Sequence, residues 1–228
     1  MNYSRQFSRV RCILAAGAMF LTLNGASKAS SISFGTDPFE GTTVRNTPGR
    51  QVVGGEFFIS FQTATESFVF DASAFGMTEI RFANGTIGSI PFDANVVVLQ
   101  TTDNDNNPLT PFGAGNAADL LAGRIATPGP GLFVYFNQSL NLPRLVYSDN
   151  LSSNTADLRI LARMLSLNGQ SGQGALNALP AFTASNFALT DGSAVPEPSN
   201  VVMMGGGIAL LAFGVVRRSR RHAQHARQ

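Results

Sequence analysis

Apolar positions through the middle of the chain fall in short alternating runs, separated by Gly, Asn, Thr and Ser. A period of two sends successive side chains to opposite faces of a β-strand. Residues 31–34 make a first strand by this pattern. Residues 51–61 make a second, in which Phe57, Ile59 and Phe61 alternate with Phe58 and Ser60, and Gly54-Gly55 marks a bulge or turn. Residues 66–71 set Phe68 and Phe70 against Val69. Residues 78–83 place Ile80 and Phe82 on one face with Glu79 and Arg81 on the other. Asn84-Gly85 then predicts a two-residue hairpin turn into 86–90. Residues 95–101 form a β-branched run without alternation, the pattern of a strand buried on both faces. Strands at 131–137 and 144–148 follow, with Asn141-Leu142-Pro143 turning between them, and 182–189 supplies the last strand.

Two stretches read as helices. Residues 117–124 are short. Residues 155–167 are stronger: Asn154 or Thr155 caps the start, Asp157 lies in the first turn and Gly169 follows the end. Arg159, Arg163 and Ser166 share one helical face, with Leu158, Leu161, Met164 and Leu165 on the rest. The rival reading is a strand with Leu158, Ile160 and Met164 inward. Seven or more short strands with turns between them predict a mainly β chain: one β-sandwich, jelly-roll-like, over residues 30–194, with one or two short helices. The strands are too few and too short for an outer-membrane barrel.

The two ends have a different texture. Arg5, Arg9 and Arg11 precede an apolar stretch over 12–23, and Ser27-Lys28-Ala29 presents small residues where a signal peptidase reads them. Residues 1–29 are therefore expected to be a secretory signal peptide, cut between Ala29 and Ser30. At the other end, Pro196-Glu197-Pro198 is followed by an uncharged apolar segment over 201–216 and then by Arg217, Arg218, Arg220 and Arg221. As a helix that segment spans roughly 24 Å, short against a hydrocarbon core of about 30 Å, a deficit that snorkelling arginines can absorb. The arginines predict that 217–228 stays cytoplasmic, with 222–228 as a short tail, and that everything before 201 lies outside. Pro196 and Pro198 fix φ and remove two donors, which leaves an extended, accessible tether around the Glu197 carboxylate.

This order of parts over 195–221 resembles the PEP-CTERM sorting signal of Gram-negative bacteria. Pro196, Glu197 and Pro198 match its motif residue by residue, and Gly205 to Gly207 with the arginine cluster match its looser pattern. The resemblance implies export across the inner membrane and a precursor anchored through 201–216. It also implies handling by an exosortase, with a mature form at the cell surface or outside the cell. It further implies an association with extracellular polysaccharide and biofilm matrix.

Charge and composition narrow what the body does. The whole chain is formally +2, yet residues 30–216 hold seven arginines, no lysine and all fourteen acidic residues, a formal charge of −7. The body therefore lacks the basic footprint that nucleic acid requires. Cys12 lies in the expected signal peptide, and His222 and His225 lie in the tail. With no Cys, His or Lys, the body excludes disulfides, His or Cys metal sites, and Ser-His-Asp, Cys-His or Lys nucleophiles. The segment Gly169-Gln170-Ser171-Gly172-Gln173 lacks the last glycine of a nucleophile elbow and has no histidine base.

Oxygen ligands remain. Asp103, Asp105 and Asn107 open like a calcium loop, but Pro108 replaces the turn glycine and Ala114 stands where a bidentate Glu belongs. They are a calcium candidate set beside the plainer reading of an Asx-rich turn. Asp149, Asn150, Asn154 and Asp157 form a looser acidic cluster, read as a turn plus a helix cap. Glu56, Glu66 and Glu79 could serve a carboxylate-only glycoside hydrolase, although their spacing suggests no pair. A sugar platform would need exposed rings, and the body has no Trp and only Tyr135 and Tyr147 besides its phenylalanines. The expectation is a non-enzymatic exported protein without a required cofactor. A polysaccharide-binding module, with or without calcium, is the alternative, and a hydrolase the remoter one.

Overall fold

The computed structural model describes residues 30–107 and 109–191. Its strands are β1 (Ser30–Phe34), β2 (Val52–Val53), β3 (Phe57–Phe61), β4 (Glu66–Asp71), β5 (Phe82–Gly85) and β6 (Val96–Leu99). They continue with β7 (Gly131–Asn137), β8 (Leu142–Ser148), β9 (Leu158–Leu167) and β10 (Phe187–Thr190). Three short helices join them: α1 (Ala72–Phe75), α2 (Ala114–Ala122) and α3 (Gln173–Ala178). The fold is mainly β, as the alternation predicts. No helix among the described residues is long and apolar enough to cross a membrane, and the expected span over 201–216 lies outside them.

Two sheets share the core. The smaller has β4 at its centre, with β1 and β10 parallel on either side. The larger runs β9-β8-β7-β6-β5, with β2 and β3 both pairing along the outer edge of β9. Between the sheets lie Phe34, Phe68 and Phe70 from the small sheet and Val96, Val134, Tyr147, Ala162 and Met164 from the large one. The opposite face of the large sheet buries Val97, Phe133, Tyr135, Val146 and Ile160 against Ala117, Ala118 and Leu121 of α2. The layers are thus sheet, sheet and helix. The middle sheet is buried on both sides, which is why Val96–Leu99 needs no polar face. The pairing is not that of a jelly roll, whose strands are antiparallel. Only β7–β8 and β8–β9 are antiparallel, and the other pairs are parallel.

The structure departs from the sequence pattern most at residues 155–167. No helix forms there. The stretch from Leu158 is β9, paired with β8 on one side and with β2 and β3 on the other. The pairing with β8 slips after Ile160, where Leu145 meets Ala162 and Val146 meets Ile160. The pairing with β3 slips again after Met164, leaving Leu165 exposed. Each extra residue reverses the in–out phase of the strand. Leu158 and Ile160 therefore face α2, while Ala162, Met164 and Leu167 face the small sheet. Two phase reversals in one strand spread apolar residues at spacings of three, and this imitates a helical stripe.

The expected hairpin at Asn84-Gly85 is also absent. Asn84 and Gly85 are inside β5, paired in parallel with Val98 and Leu99 of β6, and Ile87–Ser89 is a 3-10 turn. Asn84 stays in the strand because its amide has tertiary partners. Its Nδ2 donates to the Leu179 and Phe182 carbonyls at 3.1 and 3.0 Å, and its Oδ1 accepts from Gln100 Nε2 at 2.8 Å. The strand expected over 78–83 accordingly reduces to its last two residues.

Smaller corrections follow the same logic. Leu142 and Pro143 belong to β8, and the turn is made by 138–141 with Asn141 at φ 54°. β9 pairs with β8 only from Arg144 onward, so Pro143 forfeits no bond to it. The first short helix starts earlier, at Ala114, where the Asn116 Oδ1 accepts the Gly113 N–H at 2.9 Å. The last strand is confined to Phe187–Thr190, after a 3-10 turn at Ala184–Asn186. That turn is fixed by Asn186, fully buried, which donates to the Thr63 and Glu66 carbonyls at 2.8 Å each.

Candidate functional site

The junction of β2 and β3 places unusual chemistry on both faces of the β9 edge. Gly54 and Gly55 interrupt an otherwise continuous strand, and Gly55 sits at φ 106°, which favours glycine. The kink turns the next side chain, Glu56, inward until it is only 6% exposed. Arg144 and Arg163 lie directly opposite each other in β8 and β9. Neighbouring cations on one sheet face repel, and Glu56 bridges them. Its Oε1 accepts from Arg144 Nη2 at 3.0 Å and from Arg163 Nε, and its Oε2 accepts the Gly55 N–H at 2.8 Å. Burial alone would raise the carboxyl. The backbone N–H groups of Glu56 and Gly55 and the Arg163 guanidinium outweigh it and bring the pKa down to about 2. The exposed Phe58 ring lies under the Arg163 guanidinium, 5.3 Å from centroid to Cζ. The Arg144 Nε is buried with no hydrogen-bond partner.

On the other face lies a cleft of about 360 Å³, walled by the end of β1, the loop after it and the β9 edge. Phe34 and Phe75 form its apolar back, Phe57 stands 58% exposed, and Asp37, Glu40 and Arg159 supply charge. Asp37 is held by Arg45 through two bonds of 2.8 and 3.0 Å and accepts the Phe39 N–H at 2.9 Å. Burial opposes ionisation of its carboxyl, but these bonds prevail and lower its pKa. Arg159 lies in the strand between the buried Leu158 and Ile160, paired with Val53 and Tyr147 in the sheet.

The residues singled out in the sequence are dispersed. Pro196, Glu197, Pro198, Arg217, Arg218, Arg220, Arg221 and Ala29 lie outside the described residues. Ser30 opens β1, and its N–H donates to the Thr65 carbonyl at 3.2 Å. Asp103, Asp105 and Asn107 do occur together, in an exposed loop of successive Asx turns. Asp103 Oδ1 accepts the N–H groups of Asp105 and Asn106 at 3.0 Å each. Asp105 accepts from Asn107 at 2.9 Å, and Asn107 from Leu109 at 3.0 Å. One oxygen of each side chain is thereby committed to the backbone, with Asn106 at φ 55°. No group of three or more His, Cys, Asp or Glu among the described residues is disposed to hold a metal.

The three glutamates serve separate local structures. Glu56 bridges its two arginines, Glu66 accepts the Gln62 N–H at 2.6 Å, and Glu79 pairs with Arg81. Asp149 and Asp157 close the loop before β9. Asp149 accepts the Asp157 N–H at 3.0 Å, and Asp157 accepts the Gln51 N–H at 2.8 Å. With β9 a strand, Asp157 caps no helix. Burial, reinforced by the charge of Asp157, raises the Asp149 carboxyl. Tyr147 is buried and donates to the Phe75 carbonyl at 3.1 Å, and Tyr135 is buried under Phe112. Neither tyrosine is available as a sugar platform, and the exposed Phe57 and Phe58, adjacent in β3, take opposite faces.

Sequence reasoning missed Arg159 because it assigned Arg159, Arg163 and Ser166 to one helical face. No local signal marks it, since Leu158 and Leu161 beside it favour a helix and only Ile160 favours a strand. Comparison with protein-family models, with curated proteins and with solved structures returns no match for this chain.

Proposed function

We propose that this chain is an exported, non-enzymatic protein of the cell surface or extracellular matrix of a Gram-negative bacterium. Its β-sandwich body is delivered by an exosortase-type sorting system that reads the C-terminal segment. The observation that carries this reading is the order of parts at the end of the chain. A Pro196-Glu197-Pro198 tether, an uncharged apolar stretch over 201–216 and four arginines at 217, 218, 220 and 221 follow one another in this order over residues 196–221. The N-terminal basic, apolar and small-residue segments supply the matching export signal.

Six carboxylates of the body support a structural role. Glu56, Asp37 and Asp119 pair with arginines, Asp71 caps α1, and Asp103 and Asp105 close turns.

Replacing Pro196, Glu197 and Pro198 together by Ala is expected to trap the protein as a membrane-associated precursor. Cell fractionation with an antibody to the body would show the loss of the surface and released forms. An unchanged distribution would sink the sorting reading, because it rests on recognition of those three residues.

A further inference from the structure

Six of the seven arginines in the described residues have acceptors. Arg45 and Arg50 pair with Asp37 and Asp119, Arg81 with Glu79, Arg144 and Arg163 with Glu56, and Arg124 Nε donates to the Ile90 carbonyl at 2.5 Å. Arg159 alone has no hydrogen-bond or ion-pair partner among the described residues. It is also the arginine that lines the 360 Å³ cleft. A half-buried guanidinium without an acceptor is an electrostatic cost that folding does not recover. The surroundings keep it unpaired and accessible. A side chain at Gly55 would place its Cβ 2.9 Å from Arg159 Nη2, so the glycine leaves the guanidinium its room.

We infer that this cleft binds a small organic carboxylate whose body carries hydrogen-bond donors. The guanidinium fork of Arg159 matches a carboxylate. A dianion such as phosphate fits less well, because the cleft offers a single unpaired cation and is also lined by Asp37 and Glu40. Those two carboxylates accept from donors on the ligand's body, and Glu40 has no side-chain partner of its own among the described residues. The exposed Phe57 ring, packed 5.8 Å from Phe34, offers an apolar face to the same body. The volume suits a ligand of single-residue size, at the lower end of small-molecule sites. A hydroxy acid of the sugar series and an α-amino acid share this chemistry and differ in whether hydroxyl or ammonium meets Asp37 and Glu40. The inference stands independently of how the C-terminal segment is processed.

The test is titration of the full chain in detergent by calorimetry, with glucuronate and leucine as probes. Glucose serves as the uncharged control and sulfate as the charge-only control. Saturable binding of glucuronate or leucine is expected, weakened about tenfold or more in Arg159→Gln, the loss of one charge-assisted hydrogen-bond pair. Because Arg159 makes no bond to the fold and its unpaired charge is a cost, that variant is expected to melt no lower than the parent. Phe57→Ala, at an exposed position on the cleft, provides a second variant and is expected to weaken the same probe several-fold. Which acid binds identifies the donor. The inference is overturned if neither acid binds the parent protein, if glucose or sulfate binds as tightly as the acids, or if both variants bind as the parent does.

Discussion

Glu56→Ala lowers the stability of the body by about 3–5 kcal/mol, the cost of leaving two largely buried guanidinium groups without their shared carboxylate. Glu56 is the only acidic partner of both Arg144 and Arg163 among the described residues, and its side chain is 6% exposed against 12% and 30% for theirs. Removing it brings two cations face to face across β8 and β9. Glu56→Gln preserves the volume and one acceptor and is expected to lose less. Denaturant titration with an unchanged m-value is the measurement. A loss below about 1 kcal/mol, the range of an exposed ion pair, would contradict the buried bridge.

The same group sets an acid limb. The folded-state pKa of Glu56, about 2, lies below its ordinary value of 4.5. Its contribution is therefore fully present above about 4.5 and is lost as pH falls toward 2, a total on the order of 3 kcal/mol. Asp149 acts with the opposite sign. Its raised carboxyl favours the folded state when protonated, below the ordinary value of 3.8, and that contribution is lost as pH rises through its folded-state pKa. In Glu56→Gln the decline of stability between pH 4.5 and 2 is expected to flatten.

Phe68→Ala is expected to cost about 3–5 kcal/mol, since its ring joins both sheets and the site cannot collapse around the void. Phe68 is fully buried at the centre of β4. It stacks on Phe61 of β3 at 4.3 Å between centroids and 10° between planes. It also meets Phe34 of β1 at 6.3 Å and Phe187 of β10 at 5.8 Å. One truncation therefore loosens all three strands of the small sheet and its seat on the large one. Phe68→Leu keeps most of the volume and should cost about 1–2 kcal/mol. Equal losses for Ala and Leu would show that ring stacking rather than filled volume dominates.

Strands whose own residues carry an uninterrupted strand pattern were legible in the sequence. The stretches Glu66–Asp71 and Gly131–Asn137 are strands over the predicted spans, and the β-branched run around Val96–Leu99 is buried on both faces as its composition requires. The failures occur where tertiary partners override a local signal. At β9, two slips of register gave the strand a helix-like spacing, and only its neighbours β8 and β3 reveal the phase. At Asn84-Gly85, a turn dipeptide became a strand because its amide bonds to Leu179, Phe182 and Gln100, all remote or unpatterned in sequence. Parallel pairing is equally hidden, since a single strand carries no mark of its partner's direction. The cleft shares this limit. Arg159 looks like any other arginine until it is placed in a buried strand beside Gly55.

The sorting account is tested most directly by the intact mass of the protein recovered from the cell surface and the medium. The account predicts a polypeptide that begins at Ser30 and ends between Pro196 and Ser199, with or without an added group at its new C-terminus. A mass that still contains residues 201–228 would contradict it, leaving a membrane protein whose C-terminal segment is an anchor and not a cleavage signal.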